Sequence, residues 1–206
     1  MTATDNLATG APVNVPTPGQ KRVVVVGASG MVGGYALRYA LDSPAVKSVT
    51  SIGRKKLGIS EPKLKEVVHQ DFANCSSLAD LLSEQDAAVY CLGTYTGSVS
   101  DAELRTITAG YTIEFARVLR NSSPNASFSF LSGNGADPTG RSRLAFARYK
   151  GEAERALLAA GSARLSFPPG VHLPSAAPKG TEPQLPADTC GLSRVSIAVS
   201  ESGRSR

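Results

Sequence analysis

Three glycines, Gly27, Gly30 and Gly33, fall at three-residue intervals in VVVVGASGMVGG, directly behind a β-branched run. That spacing serves phosphate binding. Gly27 permits a tight turn from strand to helix. Gly30 lets backbone approach a pyrophosphate with no Cβ in between, and Gly33 lets the helix pack close to the sheet. The amides of Ser29, Gly30, Met31 and Val32 then stand at a helix start, where unpaired N–H groups and the positive end of the helix dipole face an anion. About twenty residues on, the position that would carry an acid for a ribose 2′-hydroxyl is instead the basic tip of SIGRKK, with Arg54, Lys55 and Lys56. Cations there suit a 2′-phosphate, so NADP(H) is the favoured dinucleotide and NAD(H) the alternative. Asp71 and Phe72 fall where an adenine could be contacted. Gly93 and Thr94 border the ribose and nicotinamide side of the same crevice.

Other chemistries find less support. His69 and His172 have no partner at ligand spacing, and Cys75, Cys91 and Cys190 share no metal or redox spacing, so no metal site is expected. A sparse, odd set of cysteines suits a reducing compartment, and Cys91 sits inside an apolar run as a small core residue. The net charge is +5, but the basic residues gather locally and form no stripe along a helix, which disfavours a nucleic-acid partner. No apolar run approaches the ~20 residues that span a bilayer. The first basic residue is Lys21, which argues against a targeting presequence and for a cytoplasmic protein.

The elements that must position these residues alternate. Strands are predicted at 22–28, 49–53, 66–72, 87–93 and 126–132, with a sixth at 164–170 running into a turn. Helices are predicted at 31–43, 76–85, 101–121 and 141–161, with Asp101 capping the third and Gly161 closing the fourth. This order predicts an α/β fold: a doubly wound parallel sheet with helices on both faces. Residues 1–20 read as a flexible leader and 21–170 as the dinucleotide-binding domain. Residues 171–206 read as a Pro-rich, irregular tail, with 192–199 as a short strand.

The segments VVVVGASGMVG, VTSIGRKKL, CLGTYTG, FLSGNGAD and YKGEAE together resemble the atypical short-chain dehydrogenase/reductases. The similarity is to the Tat-interacting-protein oxidoreductase-like branch with its fungal mitochondrial relatives, over roughly residues 22–170. The resemblance implies a Rossmann-type fold that binds NADPH, a serine after the fifth strand and a Tyr-x-x-x-Lys helix. Ser132 matches the serine and Lys150 the lysine; the tyrosine position holds Phe146. In the family's reaction the tyrosine exchanges a proton with the substrate oxygen. The lysine holds the nicotinamide ribose and lowers the tyrosine pKa, and the serine orients the carbonyl. Phenylalanine has no proton to give. Tyr149 is the candidate substitute, although adjacent helical residues point about 100° apart, so it needs an irregular helix to turn inward. The family's Arg-Pro-Gly turn is also changed, to Pro168, Pro169 and Gly170.

The resemblance therefore implies an NADPH-dependent reductase-like protein with weakened or lost catalysis, acting on a small carbonyl compound that the sequence does not specify. The alternative is a non-catalytic NADP(H)-binding sensor or a module that binds a protein partner. The fungal relatives imply peripheral association with mitochondria.

Overall fold

A computed structural model describes residues 19–133, 135–160 and 163–166. The leader before residue 19, Gly161, the turn at 168–170 and the tail at 171–206, including the strand expected at 192–199, lie outside the described residues.

The β-branched run forms β1 (Lys21–Val26), with Val24, Val25 and Val26 fully buried. Val24 and Val26 face one core, with Phe72, Tyr90, Phe115, Phe128 and Phe130, while Val23 and Val25 face another, with Leu37 and Ala40. A strand with apolar contacts on both faces needs no polar alternation, which is why the run reads as continuous valine. β2 (Val46–Gly53), β3 (Leu64–Val68), β4 (Ala87–Tyr90), β5 (Ser127–Leu131) and β6 (Ala163–Ser166) complete one sheet among the described residues. Its order is β3-β2-β1-β4-β5-β6 and every pairing is parallel. The order reverses between β1 and β4, so a crevice opens beyond their carboxyl ends, the usual ligand position in such sheets. The doubly wound expectation holds.

Helix α1 (Met31–Asp42) crosses from β1 to β2. The helix expected over 76–85 is only a short 3-10 turn, Ser76–Leu78, followed by turns. Its apolar spacing is satisfied without a helix, since Leu78 and Leu82 both reach the core. Local side chains compete for the backbone: Asn74 accepts from the Ser76 amide, and the Ser83 hydroxyl donates to the Asp80 carbonyl. Glu84, at φ 55, turns the chain out of any helix.

The helix expected over 101–121 is α2 (Asp101–Arg105), a π-helical turn Thr106–Gly110, and α3 (Tyr111–Ser122). Its cap is Ser100 and not Asp101: the Ser100 hydroxyl accepts from the Glu103 amide, and the Glu103 carboxylate accepts from the Ser100 amide, a reciprocal capping box. Helix α4 (Ala145–Ala159) starts four residues later than expected. The Asp137 carboxylate draws in the Ser142 amide, and the Ser142 hydroxyl accepts from the Leu144 amide, so 141–144 stays in the loop.

Candidate functional site

The glycine loop joins β1 to α1 at the crevice. Gly27 has φ +83, and a Cβ there would lie 2.8 Å from the Leu92 amide nitrogen and 2.9 Å from the Cys91 carbonyl carbon. Its backbone is thus pressed against the end of β4 and only glycine fits. A Cβ on Gly33 would stand 2.2 Å from the Gly27 carbonyl oxygen, so the third glycine is required for the helix to close on the loop. Gly30 differs. It caps α1 at φ −85 and ψ 163, ordinary extended backbone, and an added Cβ would meet only the Gly27 carbonyl oxygen, at 3.4 Å. The protein itself would accept a side chain there. Ser29, Gly30 and Met31 are exposed and Val32 is half-buried, so this part of the loop faces outward at the helix start. The residues present therefore fit a pyrophosphate: a cradle that a Cβ would fill, at a helix N-terminus with no side-chain cap.

Arg54 and Lys55 are exposed immediately after β2. Their loop is held from below. The Glu66 carboxylate accepts from the Leu57 and Ile59 amides, and the Gln70 side-chain amide donates to the Arg54 carbonyl at 2.6 Å. Asp71 is exposed, and one of its carboxylate oxygens accepts from the Ala73 amide. Phe72 does not share that exposure. Its ring is 1% exposed, packed edge-on against His69 and tilted against Tyr111. The side chain belongs to the core, which leaves only its backbone for a ligand. Gly93 is exposed and Thr94 half-buried beyond β4.

The second half of the crevice is built by β5, α4 and the loop between them. Ser132, just past β5, is buried, and its hydroxyl donates to the buried carboxylate of Glu154. Lys150 is also buried; its Nζ donates to the Leu131 carbonyl at 2.6 Å and lies 4.3 Å from the centre of the Phe130 ring. Burial pushes the Lys150 ammonium down to about 8, and the neighbouring Cys91 and Glu154 pull partly the other way. Burial raises the Cys91 thiol to about 11, with Lys150 opposing.

Phe146 stands in the same cluster. A Cβ on Gly133 would be 2.9 Å from both Cε1 and Cζ of the ring, and the ring centre is 5.8 Å from Lys150 Nζ. The ring thus lies against Gly133 and near Lys150 Nζ, at the sequence position where the resemblance expects a phenol.

Tyr149 is not brought to this cluster. Its hydroxyl donates to Asp101 at the start of α2, at 2.5 Å, and that carboxylate raises its pKa. α4 is regular here, so the 100° separation of neighbours sends Lys150 to β5 and Tyr149 to α2. Tyr95 is 81% exposed on the loop after β4.

Three residues escaped sequence reasoning. Glu154 lies one turn beyond Lys150, and that i, i+4 spacing was the available signal that both share a face. Gly151 was silent, yet a Cβ there would fall 2.0 Å from the Asp137 carbonyl oxygen, so α4 presses directly on the loop. Asp137 organises that loop by accepting from the Thr139 hydroxyl, the Ser142 amide and the Thr139 amide, which hold its carboxyl down to about 2.

Among the described residues no group of three or more His, Cys, Asp or Glu side chains could hold a metal ion, and no helix is long and apolar enough to cross a membrane. The model of the NAD dependent epimerase/dehydratase family matches residues 23–144, more than half of the chain. The mitochondrial protein fmp52 of Aspergillus clavatus is 31% identical over 148 residues, covering 69% of this chain and 62% of that protein. The rat protein HTATIP2 is 31% identical over 156 residues, 74% of this chain and 63% of that protein. The chain thus spans about three-fifths of the length of these relatives. Among solved structures, a short chain dehydrogenase from Burkholderia cenocepacia in complex with NADP is similar at a TM-score of 0.58. It is 17% identical, and the match covers 71% of this chain and 70% of that one. A uronate dehydrogenase from Agrobacterium tumefaciens complexed with NAD is similar at 0.54, with 18% identity over 66% of this chain and 54% of that one. These two likenesses establish the fold.

Proposed function

The chain belongs to the NAD-dependent epimerase/dehydratase family of nicotinamide-dinucleotide-binding, short-chain-dehydrogenase-like proteins, and from that premise we propose that it binds NADP(H) in the crevice between β1 and β4 and acts as an oxidoreductase weakened by Phe146. The carrying observation is Gly30. Gly27 and Gly33 are glycines because the protein's own backbone leaves no room, whereas Gly30 meets nothing closer than 3.4 Å. In this reading the missing side chain at Gly30, in the loop at the helix start, makes room for a ligand's pyrophosphate.

Gly27, Ser29, Gly30, Met31, Val32 and Gly33 cradle the pyrophosphate in this reading. Arg54 and Lys55 supply charge for a 2′-phosphate. Asp71 and the Phe72 backbone border the adenine, with Gly93 and Thr94 toward the nicotinamide. Lys150 holds the nicotinamide ribose from beneath and Ser132 faces the substrate oxygen. When bound, the cofactor supplies or takes up a hydride. The substrate class is a small carbonyl compound or the matching alcohol.

Nicotinamide fluorescence tests the reading. The full chain should bind NADPH more tightly than NADH, and Arg54→Ala with Lys55→Ala should lower NADPH affinity by about tenfold or more while leaving NADH unchanged, the scale of one lost charge-assisted bond. An unchanged NADPH/NADH preference removes the argument from the basic tip.

A second reading, a dinucleotide sensor without turnover, rests on one observation: the tyrosine position is filled by Phe146, whose ring packs on Gly133. Cofactor occupancy would then set affinity for a protein partner. For location, the reading stays with a cytoplasmic protein, and the mitochondrial label on fmp52 supports peripheral association with that organelle.

A further inference from the structure

We propose that Ser132 and Glu154 together replace the missing phenol: Ser132 exchanges the proton with the substrate oxygen, and Glu154 receives or returns the proton behind it. This rests on the dinucleotide reading above. Ser132 is 8% exposed and Glu154 6%, and the serine hydroxyl donates to Glu154 Oε1. A serine whose hydrogen is committed to a carboxylate offers a lone pair elsewhere. It can therefore accept from an alcohol O–H but cannot donate to a carbonyl until the carboxylate has been protonated.

The step balances. In the oxidising direction the alcohol's carbon loses a hydride to oxidised nicotinamide. Its O–H proton passes to Ser132 Oγ as the serine's own proton passes to Glu154 Oε1, and a carbonyl compound is released. In reduction, Glu154 returns its proton to Ser132 as Ser132 protonates the substrate oxygen that gains the hydride. Serine alone is too weak an acid or base for this; the carboxylate behind it makes the transfer feasible by never leaving an alkoxide.

Among the described residues, the groups that face Glu154 are Ser132 just past β5 and Lys150 one turn earlier on α4; Cys91 beyond the end of β4 interacts with Lys150. Glu152 is engaged elsewhere, in a two-bond pair with Arg105 at 2.8 and 2.9 Å, and Arg155 reaches the Pro138 carbonyl. Among the described residues, Lys150 is a cation whose charge acts on the Glu154 carboxylate, placed to stabilise that carboxylate as it gives up its proton.

The experiment uses the full chain with NADPH or NADP⁺, a panel of secondary alcohols and the matching ketones, and the variants Glu154→Gln, Phe146→Tyr and the two combined. Glutamine keeps a hydrogen-bonding partner for Ser132 but cannot take a proton. The expected result is that Glu154→Gln lowers kcat by about a hundredfold, flattens the pH profile, and leaves KM and NADPH affinity in place. Adding Phe146→Tyr to Glu154→Gln should restore turnover, because the phenol makes the relay redundant. A structural role for Glu154 predicts no such rescue.

A readout independent of turnover is the pH-difference infrared spectrum of the chain with NADP⁺ bound. A carboxyl band that vanishes in Glu154→Gln should shift in Ser132→Ala. Unchanged turnover in Glu154→Gln overturns the relay, as does a loss that Phe146→Tyr fails to rescue, or a carboxyl band indifferent to Ser132. Wild type that binds NADPH but turns over nothing overturns the relay and leaves the cofactor reading standing. Absence of NADPH binding overturns both.

Discussion

Lys150 holds a charge where charge is costly. The residue is 8% exposed, its ammonium meeting one carbonyl acceptor and two aromatic rings, with Cys91 and Glu154 also acting on its charge. The folded state therefore lowers its pKa from 10.5 to about 8. The sign follows from proton counts. Between about pH 8 and 10.5 the unfolded chain holds this proton and the folded chain does not, so stability rises with pH through that window and the penalty is fully present below it. At ~1.4 kcal/mol per unit the penalty is about 3 kcal/mol. Lys150→Met should accordingly stabilise the protein near neutrality by about 1–3 kcal/mol, less whatever the lost bond to Leu131 and the lost attraction to the buried Glu154 carboxylate contributed, with the gain fading toward pH 10.5. Urea unfolding at neutral and alkaline pH measures it; a gain that grows with pH contradicts the assignment. A residue that costs stability at its own position and still lies beside Ser132 and Phe146 is what a ligand-holding group looks like. At this scale the sequence was partly legible. Ser132, Lys150 and the Phe146 position were legible only through the family resemblance, residue by residue, and not from type or spacing alone. Phe72 did not betray its burial, because a residue after a strand can face either way.

Helix α4 shows how an element sets the site. It presents Lys150 and Glu154 on one face and Tyr149 on another, and it is held at its height by close contact between Gly151 and the Asp137–Pro138 backbone. Gly151→Ala would force its Cβ to within 2.0 Å of the Asp137 carbonyl oxygen, so helix and loop must separate. The expected cost is about 1–3 kcal/mol, read as a lower urea midpoint at unchanged slope. Alanine is the better helix former, so an unchanged or higher midpoint would show that this contact is dispensable. Periodicity found α1, α4 and the long helix after β4, because each keeps an apolar stripe over several turns. It failed over 76–85, where Leu78 and Leu82 look helical in spacing but Asn74, Ser83 and Glu84 commit the backbone to turns. It also could not see the π-helical turn at Thr106–Gly110, where the Tyr111 amide donates back to the Thr106 carbonyl, one residue further than in an α-helix.

On the scale of the whole molecule, the strand order makes the site. A glycine loop behind β1 gains meaning only because β4 is its neighbour and the connections turn away on opposite sides, leaving the crevice open. The doubly wound class followed from alternating strands and helices together with the right-handed rule for crossovers, both readable in the sequence, whereas the strand order itself comes from the structure. The tight turn at Gly27 and the close helix packing at Gly33 were implied by the motif, but the contacts that enforce them, and the difference between those glycines and Gly30, exist only in three dimensions. The central claim is that Gly30 is a glycine for the sake of a bound dinucleotide. Its most direct test is calorimetric titration of NADPH into the wild type and Gly30→Ala, with thermal midpoints taken on the same samples. The account predicts that wild type binds, and that Gly30→Ala keeps its midpoint but loses affinity by at least about tenfold, a penalty of about 1.4 kcal/mol or more. Equal NADPH affinity in the two proteins, or no binding by wild type, would contradict it.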